Sequence, residues 1–421
     1  MKRVALVIQR FGGEVLGGAE THAGVLARAL KAHCEVTILT STAKDHITWA
    51  KHYREGETVE DGLKVLRFHP DFERSRYFHE LNRIFLCGTN PERFFELSPL
   101  QKKNWEERCL GLPVGFQEEL IRWQGPFPSK LFQHLRDNWP LYEAVIFFTY
   151  LYPTAYFGVD CVGDPGRVFL HPTLHDEAHA YLSIWRKYAR YNLLFSTEEE
   201  AVLARELLGK AKGKVVGYGL LDRNANGQGI VYYQEAKQKD DKPYLLYAGR
   251  IEPAKGASIL FDYFTRYKRE HPDSRLRLKL IGRASPGLRV EKSDGIELLG
   301  FVSEEEKLQL IAGALAVVLP SPYESLSIVV LEAFMMGTPV IVNGHCPVLA
   351  GHVNRSGAGF AYRNYVEFAN TLESFQEKPS LRFELGRRGR DYFLENYEWS
   401  GYQARLLQAL NLSGNAGNRD E

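Results

Sequence analysis

Cysteine is scarce in this chain, and its placement does not suggest pairing. The five cysteines, Cys34, Cys87, Cys109, Cys161 and Cys346, are scattered, odd in number and include no Cys-x-x-Cys. This argues against a disulfide framework or a structural zinc site and leads us to expect a reducing, cytoplasmic setting. Charge of one sign is not in excess either. Lys plus Arg number 53 against 52 Asp plus Glu, a net charge of +1. Nucleic-acid binders usually carry a basic surplus, so no nucleic-acid partner is expected. Long apolar runs are missing as well. The N-terminal run covers only Val4 to Ile8, shorter than a signal peptide or a membrane span requires. Any membrane contact is therefore expected to be peripheral, at the inner face. There is no fixed-period repeat, no low-complexity tract and no Asp-x-Asp pair in a loop suited to a metal. Neither a metal nor a cofactor is expected.

What is present is ordinary in amount and ordered in pattern. The 421 residues correspond to two or three domains at ~100–200 residues each. With 44% hydrophobic and 25% charged residues, the composition is that of a soluble globular protein with room for sizeable cores. Val4 to Ile8 reads as a strand buried on both faces. A glycine-rich loop follows, then a helix with Val25, Leu26, Ala29 and Leu30 on one face. Val36 to Leu39 is the next strand, completing a βαβ signature. Further strands are expected at 63–68, 144–148, 168–170 and 193–195. Residues 45–140 are rich in aromatics and both charges, and read mainly as inserted helices and long loops. The polar stretch 223–242 marks a linker. A second series of strands follows at 244–248, 276–281, 296–299, 315–319 and 340–342. The fold class expected is α/β with two doubly wound lobes: residues 1–222, a linker at 223–242, residues 243–395, and a closing helix and tail at 396–421. Ligands of such sheets bind at the carboxyl ends of the strands.

Three segments carry candidate chemistry. The loop Gly12 to Thr21 brings glycine backbone to a helix N-terminus, where N–H groups can meet a phosphate. It is not a Walker A loop, because Gly18-Ala19 stands where Lys-Ser/Thr is required, and it does not have the Gly-x-Gly-x-x-Gly spacing either. A plain tight turn explains it equally well. The second segment, Gly249-Arg250-Ile251-Glu252-Pro253-Ala254-Lys255-Gly256, sets two cations just past a strand. Cations there oppose the helix dipole, as a phosphate clamp would; solvated surface charges are the simpler alternative. The third segment runs from Pro320 to Val340, a loop and then a helix carrying Leu326, Val329, Val330, Ala333 and Phe334, ended by Gly337-Thr338-Pro339. Glu324 lies in the loop and Glu332 two helical turns on, able to project to the same side. Carboxylates there are good acceptors for sugar and ribose hydroxyls.

Gly-Arg-x-x-x-x-Lys-Gly, then Glu, seven residues and Glu, then Ala-x-x-x-Gly-x-Pro-Val, resembles glycosyltransferase family 4. The resemblance covers nearly the whole chain and is most specific in the second lobe. It implies the GT-B fold: two facing Rossmann-like lobes with a cleft between them, and a last helix returning to the first lobe. It also implies a retaining transferase using a nucleotide-sugar, here a UDP- or GDP-sugar. By resemblance, Arg250 and Lys255 hold the donor diphosphate, Glu324 meets the transferred sugar and Glu332 the ribose. Backbone N–H groups of Ser325, Leu326 and Ser327 complete the diphosphate site, and Gly17 and Gly18 face the donor. His175, in His171-Pro172-Thr173-Leu174-His175-Asp176-Glu177, matches the family's histidine beside the sugar better than His171 does. Asp176 and Glu177 at a helix start suit the dipole without any such role. The base is sought at Gly282, Arg283, Phe301 and Val302. One departure stands out: after Val342 the family's Pro-Glu is replaced by Pro347-Val348.

These expectations combine into one reading. His175, Glu324, Arg250 and Lys255 carry the catalysis, by stabilising a leaving diphosphate without metal. The sequence shows no evident carboxylate nucleophile, which favours front-face departure. A saccharide or lipid-linked glycan acceptor is expected on the 45–140 side, in cell-surface polysaccharide or glycolipid synthesis. Alternatives are a non-catalytic nucleotide-sugar binding protein, or an epimerase or phosphorylase of the same fold.

Overall fold

The computed structural model describes residues 1–15, 17–226, 242–285 and 295–412. The chain forms two compact units. One comprises Met1–Gly219 and the chain from Tyr402 onward; the other is Leu220–Gly401.

The first unit is built on an eight-stranded sheet in the order β3-β4-β2-β1-β5-β6-β7-β8. Its strands are β1 (Arg3–Val7), β2 (Glu35–Ser41), β3 (Gly56–Glu60), β4 (Leu63–Phe68), β5 (Ala144–Phe148), β6 (Val168–His171), β7 (Asn192–Phe195) and β8 (Lys212–Val215). Every pairing is parallel except β3 with β4. Val4 to Val7 are fully buried, which accounts for their continuous apolar run. The chain builds outward from β1 to one side, then restarts at β5 on the other, so strand order reverses between β1 and β5. The sequence pattern shows β4 but not β3, because β3 alternates half-buried and exposed residues and packs little. The turn between them is Asp61-Gly62, both at positive φ (49° and 69°), the Asp-Gly hairpin chemistry that signals β3.

Four α-helices occupy about half of the insert: Arg76–Leu86, Pro99–Gly111, Val114–Gln124 and Ser129–Asn138. Trp49, Phe85, Phe94 and Trp105 are buried, so a large share of the insert's aromatics form core. The helix Trp399–Ala409 ends against the first unit, as expected. Gln403 Nε2 donates to Ala29 O at 2.8 Å and Arg405 Nε to Val216 O at 3.2 Å. Residues 413–421 of the expected tail lie outside the described residues.

The second unit carries a six-stranded, wholly parallel sheet in the order β11-β10-β9-β12-β13-β14. These are β9 (Tyr244–Ala248), β10 (Arg277–Ile281), β11 (Ile296–Gly300), β12 (Ala316–Leu319), β13 (Val340–Asn343) and β14 (Gly359–Tyr362). Strand order reverses between β9 and β12. Leu245, Leu260, Phe264, Leu278, Val318 and Phe368 form the centre of a continuous core, each contributing roughly 1.5–3 kcal/mol by burial. Within the polar stretch expected as a linker, Asn224 is buried and donates to Met335 O at 3.2 Å. Just before it, Asp222 meets Arg390 bidentately at 2.5 and 2.6 Å. The stretch's beginning is thus packed on the second unit; residues 227–241 lie outside the described residues.

Candidate active site

In the second unit the candidate residues cluster at the carboxyl ends of β9, β10 and β12, at the reversal of strand order where doubly wound sheets bind ligands. Tight backbone approaches hold these loops together. A Cβ on Gly282 (φ 130°) would fall 1.9 Å from Gly249 O. One on Gly256 (φ 75°) would fall 2.3 Å from Pro320 O. Only glycine fits such contacts at positive φ. Tyr247 donates its hydroxyl to Arg250 O at 2.6 Å, and Asn343 Nδ2 donates to Pro320 O at 3.0 Å.

Lys255 closes the 3₁₀ turn Pro253–Lys255, just before the helix Ala257–Glu270. Its Nζ lies 2.8 Å from Glu324 Oε1 and 3.4 Å from Tyr323 O. Two segments distant in sequence thus meet through an ion pair. Arg250 is half exposed, with Nη1 3.1 Å from Glu252 Oε1. Both cations therefore already face carboxylates, and a phosphate would share or displace them. Ser325 is half-buried. Leu326 is buried in the loop and its carbonyl meets His352 Nε2 at 2.8 Å. The sequence reading places Leu326 on the helix; the structure corrects this, since the helix is Ile328–Met335. Ser327 intervenes at φ 67°, ψ 85°, a left-handed conformation that ends any helix before it and costs about 1–3 kcal/mol in a non-glycine residue.

Glu332 is buried in that helix. Its Oε1 is 2.8 Å from Lys307 Nζ, which also holds Glu304 at 2.8 Å. Burial pushes the Glu332 carboxyl above the usual carboxylate range, and the Lys307 charge works against that rise. The two glutamates thus contact different cations. Lys307 is absent from the sequence reading; its signal is a lysine closing the acidic helix start Glu304-Glu305-Glu306. Gly282 N–H donates to Gly300 O at 2.7 Å, and Ile251 N–H to Arg283 O at 3.0 Å. These bonds bring Gly282 and Arg283 beside both the Arg250 loop and the Phe301-Val302 turn. Phe301 is 76% exposed, a large ring left mostly uncovered by the described residues.

The first unit arranges its candidates differently. Gly17 precedes the helix Gly18–Lys31, and a Cβ on it would lie 2.0 Å from Glu20 Oε2. Glu20 is buried and accepts from Arg10 Nε at 2.6 Å and Gln9 Nε2 at 3.0 Å. The chain's own carboxylate thus crowds Gly17 in the helix's first turn. Among the described residues, nothing crowds Gly18.

His171 ends β6, fully buried. It stacks on Phe148 at 4.8 Å and meets His22 edge-on at 4.3 Å. Neither ring nitrogen has a partner among the described residues, and burial lowers its pKa to about 3, so it is neutral. His175 is partly exposed, with Nδ1 3.6 Å from Glu177 Oε1. Glu177 also accepts from the Tyr150 hydroxyl at 2.7 Å. Burial acts to raise its pKa, but the neighbouring His175 and His179 and the Tyr150 hydroxyl bring it down to about 2. Glu200 fixes the loop before His175, taking Leu174 N–H at 2.8 Å and Ser196 N–H at 2.6 Å. Asp176 pairs with Lys102 and accepts from the Tyr181 hydroxyl at 2.7 Å. On the insert, Trp123 gathers Phe72 at 4.4 Å and Tyr77 at 5.3 Å, and Tyr77 is exposed.

Among the described residues, no group of three or more His, Cys, Asp or Glu could hold a metal ion. No described helix is long and apolar enough to cross a membrane.

Comparison with known proteins matches residues 232–392 to the family model "Glycosyl transferases group 1". The sucrose-phosphate synthase of Thermosynechococcus elongatus superposes with a TM-score of 0.67 at 16% identity, covering 98% of both chains. Anabaena Alr3699/HepE, solved with UDP-glucose, gives 0.66 at 13% identity over 98% of this chain and 100% of that one. The fold is GT-B. The D-inositol 3-phosphate glycosyltransferase of Pseudarthrobacter chlorophenolicus is 30% identical over 177 residues, 39% of this chain and 42% of that one. The match therefore spans less than half the length of this curated relative.

Proposed function

We propose that this chain is a retaining glycosyltransferase of the family 4 type, taking its sugar from a UDP- or GDP-sugar. The observation that carries the reading is the Lys255–Glu324 pair, 2.8 Å apart where β9 and β12 diverge. A cation and a carboxylate side by side suit the two ends of a sugar diphosphate. Lys255 and Arg250 take the phosphate oxygens, and Glu324, released from Lys255, accepts from sugar hydroxyls. The backbone N–H groups of Ser325 to Ser327 add donors at a helix N-terminus. Charge building on the leaving diphosphate is met by groups already in place, which is often the largest catalytic term.

The carboxylates of the strand-end cluster, Glu252, Glu324 and Glu332, each have a cation beside them. This supports a leaving phosphate, rather than a protein carboxylate, as the group that takes the acceptor's proton, with the sugar added to the face the diphosphate leaves. His175 is assigned, by resemblance, to positioning that sugar. The acceptor is a saccharide or lipid-linked glycan, with the partly exposed Tyr77 and Trp123 as candidate contacts. Cytoplasmic polysaccharide or glycolipid synthesis is the setting this implies, with any membrane contact peripheral. Supporting the donor class, Alr3699/HepE was solved with UDP-glucose.

The test is turnover with UDP- and GDP-sugars, with and without EDTA, and NMR of the product's anomeric proton. A product with the donor's anomeric configuration, formed equally with EDTA, is expected. An inverted product refutes retention, and loss of turnover with EDTA refutes metal independence. Donor binding without turnover on any acceptor, water included, would favour a non-catalytic binding protein.

A further inference from the structure

The Lys307–Glu332 pair has a consequence beyond the donor reading, although it rests on that reading. Glu332 projects from the helix Ile328–Met335 with only 8% of its side chain exposed. Its Oε1 is engaged by Lys307 at 2.8 Å. Its Oε2 is buried with no hydrogen-bond partner among the described residues. A buried, half-satisfied carboxylate is costly, and one way to reduce the cost is to bind a proton. A protonated Glu332 would be a weaker acceptor for a ligand hydroxyl.

The groups around it are few. Lys307 and Glu304 face it from the helix Glu304–Gly313, and Arg223 acts on it from the segment after the first unit. The helix Leu381–Asn396, which also packs on Ile328–Met335, turns its cations elsewhere. Arg390 bonds Asp222 and Met335 O, and Arg382 bonds the carbonyls of Ala312, Ala314 and Gly337. Lys307 is therefore the cation in direct contact with Glu332.

We propose that Lys307 is a positioning residue: it keeps Glu332 ionised and pins one oxygen, so that the other serves the ribose hydroxyls of the donor nucleotide. A ligand hydroxyl reaching Oε2 supplies the missing hydrogen bond. Lys307 itself does not touch the nucleotide. Its effect is confined to ligands that carry ribose hydroxyls, and that property distinguishes it from a residue that only stabilises the helix.

The experiment is calorimetric binding of UDP and GDP, and of their 2′,3′-dideoxy forms, to the full chain and its variants between pH 6.5 and 8.5. Wild type is expected to prefer the ribose form. Lys307→Met should weaken the ribose form about tenfold at pH 7, leave the dideoxy form unchanged, and recover affinity as pH rises and Glu332 ionises. Lys307→Arg should restore binding. Glu332→Gln should lose the ribose preference without regaining it at high pH. If Lys307→Met does not fold, Lys307→Gln replaces it.

Equal weakening of ribose and dideoxy forms, or no change in either, overturns the positioning role. Binding of neither UDP nor GDP to wild type overturns the donor reading and this inference with it. Binding without ribose preference in wild type removes the role of Glu332 while sparing the donor reading.

Discussion

Both units end their sheets in glycine-bearing loops at a reversal of strand order, but they use those glycines differently. In the second unit, Gly256 and Gly282 are pressed against the neighbouring backbones of Pro320 and Gly249. The loops are locked to each other, and the ion pair of Lys255 with Glu324 forms on top of that contact. In the first unit, Gly17 makes room for the side chain of Glu20, and among the described residues Gly18 makes room for nothing. There the positioning falls to side chains: the buried Glu200 holds Leu174, and the half-buried Glu177 lies beside His175. A site built from backbone contacts leaves a contiguous motif in the sequence. One built from side chains reaching across the fold leaves scattered residues.

The largest expected effect falls on the second unit. Lys255→Ala should lower kcat and kcat/KM together by about 10²–10³, as removal of a charge-stabilising donor does; steady-state kinetics on the donor sugar checks this. Gly256→Ala should follow, losing about 2 kcal/mol or more, since a Cβ meets Pro320 O at a positive φ. Thermal or denaturant unfolding measures it, and an unchanged Tm would show that the loops are less locked than described.

The histidines sharpen the contrast in the first unit. His175→Ala should reduce kcat about tenfold, the scale of one hydrogen bond to a charged group. His171→Leu should change kcat by less than about twofold, because His171 is neutral and enclosed by Phe148 and His22. Equal loss in both would place the buried pair in the reaction. The smallest effect is expected at Gly18→Ala, within about 0.5 kcal/mol of wild type, since no neighbour crowds that position.

Much of the fold was legible because parallel strands buried on both faces are continuous apolar runs: Val4 to Val7, Ala144 to Phe148 and Tyr244 to Ala248 are buried throughout. β3, β8 and β14 were not legible. They include half-buried or exposed positions, and β8 is Lys-Gly-Lys-Val. Lys255 and Glu324 were each picked out by motif spacing, though not their pairing, whereas Lys307 was not picked out at all. An ion pair between helices depends on how they pack, and a lysine after three glutamates looks like a solvated surface charge. His175 was preferred to His171 by resemblance; the difference in their burial, complete for His171 and partial for His175, is not visible in four residues of separation along one segment. Leu326 was placed on a helix because its apolar spacing fits one, but the left-handed Ser327 that stops the helix has no signature in residue type.

The most direct test of the central claim, that the β9–β12 reversal holds a nucleotide-sugar diphosphate, is calorimetric binding of UDP and GDP to wild type and Lys255→Ala. One of the two is expected to bind wild type and to be bound at least about tenfold more weakly by the variant. Binding of neither, or equal binding by both proteins, would contradict it.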